Sequence, residues 1–263
     1  MNPNFDFQQE FIDLRDSLES FVFRFLCNRQ DVEDIVQDTY IKVLNNIHAF
    51  QNKSSFKTWV FAIAANQSKN LLKKQKRWAE EFQDKGESLH LLSKEHMNRL
   101  KNVYMSVPDV QFELIEHINY CFNCITKTLS LPQQICLLLK EVHQFKIKEI
   151  IEISGLTEGQ VKHNLTYARK IMTRVFDNRC ALIKKQGVCN QCSELMGILN
   201  SEQNAWEEVN QLKLVKQKET ADDDHLLDLR ISLIKNIHPL KAANSHLHTY
   251  MLEHLPKWAE VDI

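Results

Sequence analysis

Few residues in this chain break a helix. Only five glycines and five prolines occur among 263 residues, where average usage would supply roughly thirty of the two together. That scarcity leaves little room for turn-rich architectures, and with many helix formers it points to an all-α protein. No run of about 18 apolar residues is present, so no membrane span is expected. The opening residues, Met1-Asn-Pro-Asn-Phe-Asp, lack the basic run and apolar core of a secretory signal, which predicts a cytoplasmic location. Without an export signal, an odd count of seven cysteines favours free thiols or a metal site over disulfides. No glycine-rich phosphate loop, nucleophile–base set or paired catalytic carboxylates stand out, so an enzyme is not expected and no cofactor is required.

What is present is a hydrophobic fraction of 43%, enough for real cores, in a chain long enough for two domains and a further segment. The net charge of −1 hides a strong polarity. Residues 29–40 hold four carboxylates (Asp31, Glu33, Asp34, Asp38) and one base, Arg29; residues 51–80 hold seven bases and one acid. Residues 146–185 carry nine bases against four acids, and residues 186–263 seven bases against twelve acids. Two basic patches followed by an acidic end suit a nucleic-acid binder with a self-masking tail.

Apolar spacing predicts the helices. Phe11, Leu14, Leu18, Phe21, Val22 and Phe25 form one stripe. Asp31 reads as the N-cap of the next helix, with Ile35, Val36, Tyr40, Val43, Leu44 and Ile47 on its apolar face and Glu33, Gln37 and Asp38 opposite. By spacing alone, the favoured reading of those acids is an ordinary solvated helix face. A long helix from Phe56 to about Arg77 turns Val60, Ile63, Ala64, Leu71 and Leu72 inward. Lys57, Asn66, Lys69, Asn70, Lys73 and Lys74 lie near the other face, where lysines, asparagines and aromatics can hold phosphates and unpaired bases.

From Phe145 to Lys170 the pattern is a helix–turn–helix. Ile147, Ile150 and Ile151 pack its first helix, Gly155 supplies the positive φ of the turn, and Thr157 caps the second helix. Val161, Leu165 and Ala168 face inward. Glu158, Lys162, His163, Thr166, Arg169 and Lys170 face outward, as a recognition helix in a major groove requires.

Two strings carry a family resemblance. Asp31-Val-Glu-Asp-Ile-Val-Gln-Asp-Thr-Tyr-Ile-Lys-Val resembles the sigma-factor segment that docks on RNA polymerase. Phe56-Lys-Thr-Trp-Val-Phe-Ala-Ile-Ala-Ala-Asn resembles the segment that melts and reads the −10 element. The whole run from Leu131 to Lys170 resembles the −35-binding domain, departing from it at Ile151, His163 and Asn164. The chain is thus similar to bacterial sigma factors of the extracytoplasmic-function (ECF) type. The resemblance implies a region 2-like bundle over residues 1–80, a linker over 81–110 with some helix near Leu89–Val103, a region 4-like domain over 111–179, and a helical extension over 180–263. It implies that Asp34, Gln37 and Asp38 contact polymerase, and that Lys57, Trp59, Asn66, Asn70 and Lys73 face −10 DNA, with Trp59 equally suited to the core. The implied partners are core RNA polymerase, through β′ and the β flap, promoter DNA, and an anti-sigma factor as a further candidate, with no membrane. The competing expectation is a stand-alone helix–turn–helix transcriptional regulator with a zinc- or redox-responsive C-terminal segment.

The cysteines fall in two groups. Cys121 and Cys124, three apart on one helix face, read as small packing residues. Cys180, Cys189 and Cys192 have the look of a zinc knuckle lacking a fourth ligand, for which His225, His238, His246, His248 and His254 are candidates. A thiol redox sensor and three unrelated thiols are the other readings. The acidic run Asp222–Asp224 leads to the expectation that the extension packs on one of the basic domains and tunes it in cis.

Overall fold

Several helices in this chain start at a side chain, such as Asp6, Asn28 or Asp222, that accepts from first-turn backbone N–H groups. The computed structural model describes residues 5–50, 53–72, 77–78, 94–106, 113–180, 210–243, 245–253 and 260–261. Among them run α1 (Phe7–Leu26), α2 (Arg29–Asn46), α3 (Phe56–Leu72), β1 (Arg77–Trp78), α4 (Lys94–Met105), α5 (Leu114–Thr126), α6 (Leu131–Leu137, prolonged by a π-helical turn, Leu138–Val142), α7 (Ile147–Ser154), α8 (Glu158–Arg179), α9 (Lys213–Lys216), α10 (Asp223–Ile234), α11 (Ser245–Glu253) and β2 (Glu260–Val261). The two strands form one short antiparallel pair, Arg77 opposite Val261 and Trp78 opposite Glu260. Among the described residues the fold is all-α but for that pair.

The first compact unit comprises residues 1–76 and 130–167. Asp6 caps α1 by accepting from the backbone N–H groups of Gln8 and Gln9, at 3.0 and 3.1 Å. Cys27, at φ 59°, closes α1 in the left-handed region, its N–H donating to Phe23 O. The cap of α2 is Asn28 rather than Asp31: Asn28 Oδ1 accepts from Asp31 N at 2.9 Å, so Asp31 already lies in the first turn. The core gathers Phe11, Leu18, Phe21, Val22 and Phe25 of α1, Val32 and Val43 of α2, and Val60, Phe61 and Ala64 of α3, all buried. Each large apolar side chain in it contributes about 1.5–3 kcal/mol. Arg24 is buried among them, and the loss of hydration lowers its pKa to about 10, opposed in part by Cys27.

Segment 130–167 completes this unit. The buried Phe145 sets its ring against Phe61 at 4.9 Å. His143 lies edge-on to Phe21 and against Phe61, both at 5.6 Å, with Nδ1 3.3 Å from Ser17 Oγ and Nε2 buried. Cys136 is fully buried, which pushes its thiol up to about 11 despite the nearby Lys69. It is an inert packing residue.

The second unit comprises residues 77–129 and 168–263. Its core takes Leu100 and Tyr104 from α4, Leu114, Ile118, Phe122 and Ile125 from α5, Met172 and Phe176 from α8, Leu226, Leu227, Ile231 and Ile234 from α10, and Leu247 and Met251 from α11. His117, Tyr120 and the buried His248 stack on one another, with centroids 5.1–5.5 Å apart. Cys124 is buried and Cys121 half-buried.

This division differs from the chain-order one expected from the sequence. The expected linker contains the helix α4, with Leu100 and Tyr104 buried. The expected region 4-like domain is shared: segment 130–167 groups with the first three helices, whereas α5 and the second half of α8 group with the C-terminal extension. The physical reason is that α5 and α10 bury complementary apolar faces, and α3 does the same with α7 and the loop before it. None of the described helices is long and apolar enough to cross a membrane.

Candidate nucleic-acid interface

Three surfaces carry the residues singled out above. The first is the outer face of α2. Glu33, Asp34, Gln37 and Asp38 are all exposed, while Val32, Ile35, Val36 and Thr39 are buried behind them. Thr39 Oγ1 accepts from Gln67 Nε2 of α3 at 2.8 Å, which fixes the face against the bundle. Two apolar residues share it: Ile41 is 44% exposed and Leu44 43%. Leu44 therefore points outward, not into the core as its spacing suggested. Ile41 stands seven residues after Asp34 and three after Asp38, so the same helical periodicity that grouped the acids could have found it. An acidic face with exposed aliphatics suits a basic protein surface, not DNA.

The second surface is α3. Asn66 and Asn70 are exposed. Trp59 is half-buried, stacked on Phe50 at 5.1 Å and 6.0 Å from Phe56. The Lys57 ammonium sits 4.7 Å from the centroid of Phe145 and 5.8 Å from that of Phe61. Lys69 Nζ donates to Ser154 O at 2.8 Å, a cation on the carbonyl end of α7, where the helix dipole favours it. In this conformation part of the basic face of α3 is covered by segment 145–154 of its own unit. Lys73 lies outside the described residues.

The third surface is the helix–turn–helix. Gly155 adopts φ 74° and its N–H donates to Ile151 O. Thr157 and Gln160 cap α8 reciprocally: Thr157 N donates to Gln160 Oε1 at 2.9 Å and Gln160 N to Thr157 Oγ1 at 3.3 Å. Val161 and Ala168 are buried, and Glu158, Lys162, His163, Thr166 and Lys170 are exposed. Glu158 is bound to Lys162 at 2.6 Å, a hydrogen bond and a charge that hold its carboxyl below the usual range. Tyr167, which the sequence reading passed over, is 47% exposed, with its ring 4.4 Å from that of His163. Arg169 is only 24% exposed because it is paired, 2.8 Å from Asp228 and 3.6 Å from Asp224.

Of the thiols in the extension, Cys180 is half-buried at the end of α8, with its N–H on Phe176 O at 2.9 Å. Cys189, Cys192 and His254 lie outside the described residues. Two of the ring candidates have other partners: His248 belongs to the buried stack, and His225 Nε2 is 3.2 Å from Gln217 Oε1.

Residues 11–78, which span α1 to β1, match the family model for sigma-70 region 2. The ECF RNA polymerase sigma-E factor of Haemophilus influenzae is 26% identical over 154 residues, covering 55% of this chain and 74% of that protein. The RNA polymerase sigma factor SigV of Bacillus subtilis is 26% identical over 150 residues, covering 57% and 78%. SigX of the same organism, an ECF sigma factor, is 38% identical over a shorter stretch of 58 residues, covering 22% of this chain and 30% of that protein.

Proposed function

We propose that the chain is an RNA polymerase sigma factor of the ECF type, a dissociable subunit that directs core polymerase to a defined set of promoters. The observation that carries this is the outer face of α2, inside the matched region 2: Asp34, Gln37 and Asp38 stand exposed with Ile41 and Leu44 on a rigid helix. A protein that only bound DNA would gain nothing from an acidic, partly apolar surface ahead of its basic elements. In this reading that face docks on core enzyme in the cytoplasm. Asn66, Asn70, Trp59, Lys57 and Lys73 then meet −10 DNA, and Glu158, Lys162, His163, Thr166, Arg169 and Lys170 of α8 meet the −35 element. In this reading the protein performs no chemistry of its own; its partners are core polymerase and promoter DNA.

In this reading Lys57 leaves the ring of Phe145, 4.7 Å away, when α3 meets DNA. The test is titration of the fluorescently labelled full-length chain with purified bacterial core polymerase. The expected result is saturable binding with Kd on the order of nanomolar, about −12 kcal/mol. A folded chain that does not bind core enzyme would overturn the proposal.

A further inference from the structure

The ion pairs of Arg169 give the C-terminal extension a task. Arg169 falls seven residues after Lys162 and three after Thr166, on the outward stripe of α8. Its Nη2 donates to Asp228 Oδ1 at 2.8 Å and lies 3.6 Å from Asp224 Oδ1. These two acids are four residues apart and therefore on one face of α10. Two carboxylates on one guanidinium reproduce what a DNA phosphate offers, anionic oxygens at charge-assisted hydrogen-bond distance.

The arrangement is built, not incidental. Asp222 caps α10 by accepting from His225 N at 2.8 Å, which sets Asp224 in the first turn and Asp228 one turn on. Leu226, Leu227, Ile231 and Ile234 are buried beneath. A second point of attachment lies seven residues farther along α8, where the buried Arg230 places its guanidinium 4.2 Å from the centroid of the Phe176 ring. So α10 is held against the C-terminal half of α8 by a core, and its acids are delivered to Arg169 from that base. The pairing itself is light: Asp224 and Asp228 are 73% and 57% exposed, and exposed ion pairs are worth little each. A run of DNA phosphates can displace them.

We infer that the acidic face of α10 is a cis-acting competitor of DNA phosphate for Arg169, so that the extension masks part of the −35-binding helix until DNA displaces it. This rests on the reading of α8 as the promoter-facing helix. It predicts that the extension lowers DNA affinity through one specific pairing and not through its bulk negative charge.

The test uses the full-length chain and a fluorescein-labelled 30-base-pair mixed-sequence duplex at low salt. Asp224→Asn/Asp228→Asn is compared with Glu219→Gln/Asp223→Asn, which removes the same charge from exposed positions of the same segment. The first pair is expected to tighten binding about tenfold beyond the second, with a salt dependence steeper by about one phosphate contact. In an Arg169→Met background the difference between the two pairs is expected to vanish. Equal gains from both pairs, or a difference that survives Arg169→Met, would overturn the inference while leaving α8 a DNA-binding helix. If no variant binds the duplex at all, the reading of α8 falls and takes the inference with it.

Discussion

Reversal of two charges on α2, Asp34→Arg/Asp38→Arg, is expected to weaken binding to core RNA polymerase at least about 100-fold, or ~2.7 kcal/mol. Both side chains are exposed, and the bond to Asp34 (Gln30 Nε2 to Asp34 Oδ1, 3.1 Å) lies on the surface. The fold therefore has little to lose, and the unfolding midpoint is expected to move by no more than a degree or two, since surface changes cost within about 0.5 kcal/mol. The partner surface has much to lose. A face bearing Glu33, Asp34 and Asp38 selects a basic surface, and reversal turns two attractive contacts into repulsive ones, each costing more than simple truncation. Ile41→Ser/Leu44→Ser on the same face is expected to weaken binding too, with no change in salt dependence, because the contribution removed is apolar. An equilibrium titration against core enzyme at two salt concentrations reads both effects. A charge-reversed variant that binds like the wild type would remove α2 as the docking face.

Acid is expected to destabilise both compact units. His143 and the fully buried His248 have their pKa values lowered to about 3, His143 by burial first and then by Arg24 and Lys57, and His248 by burial alone. The unfolded chain takes up these protons near pH 6.5, whereas the folded chain refuses them until about pH 3. Between those values the unfolded state binds more protons, so stability falls as pH falls. Each group costs up to about 1.4 kcal/mol per pH unit, hence about 2 kcal/mol each between pH 7 and pH 5. That is a large share of the 5–15 kcal/mol typical of a folded domain. Urea unfolding at pH 7, 6 and 5 measures it. His143→Phe is expected to flatten the pH dependence of the unit containing Phe21 and Phe61, and His248→Phe that of the unit containing Tyr120. A midpoint that does not move between pH 7 and pH 5 in the wild type would contradict this account.

The sequence is a good guide wherever one residue type has one physical use. Gly155 marks the turn of the helix–turn–helix because only glycine takes φ 74° without strain. The stripe of α1 is readable because its apolar residues outnumber every alternative face. The sequence misleads where the deciding partner is far away in the chain. Leu44 reads as core because periodicity cannot tell a side chain covered by its own bundle from one awaiting another protein. Arg24 is a further case that spacing does not reveal, since it is fully buried within the apolar run Phe21–Leu26 of α1. The stretch read as a linker with some helix carries α4 as expected, but the burial of Leu100 and Tyr104 in the second unit, which also holds the C-terminal helices, is not legible in it. The same distance hid the interleaving of the two units. In the candidate interface, the acids of α2 and the outward residues of α8 are legible from spacing. That Lys57 and Lys69 are engaged by segment 145–154, and Arg169 by Asp224 and Asp228, is a matter of tertiary placement that composition only hinted at.

Transcription by a reconstituted enzyme tests the central claim most directly. Purified core polymerase, with and without this protein, would be given sheared genomic DNA from the source organism, and the 5′ ends of the transcripts mapped. The account predicts a small set of start sites that appear only with the protein, share −10 and −35 sequences, and disappear with Asp34→Arg/Asp38→Arg. Identical transcripts with and without the protein, from a chain that nevertheless binds DNA alone, would contradict it and leave a stand-alone helix–turn–helix regulator.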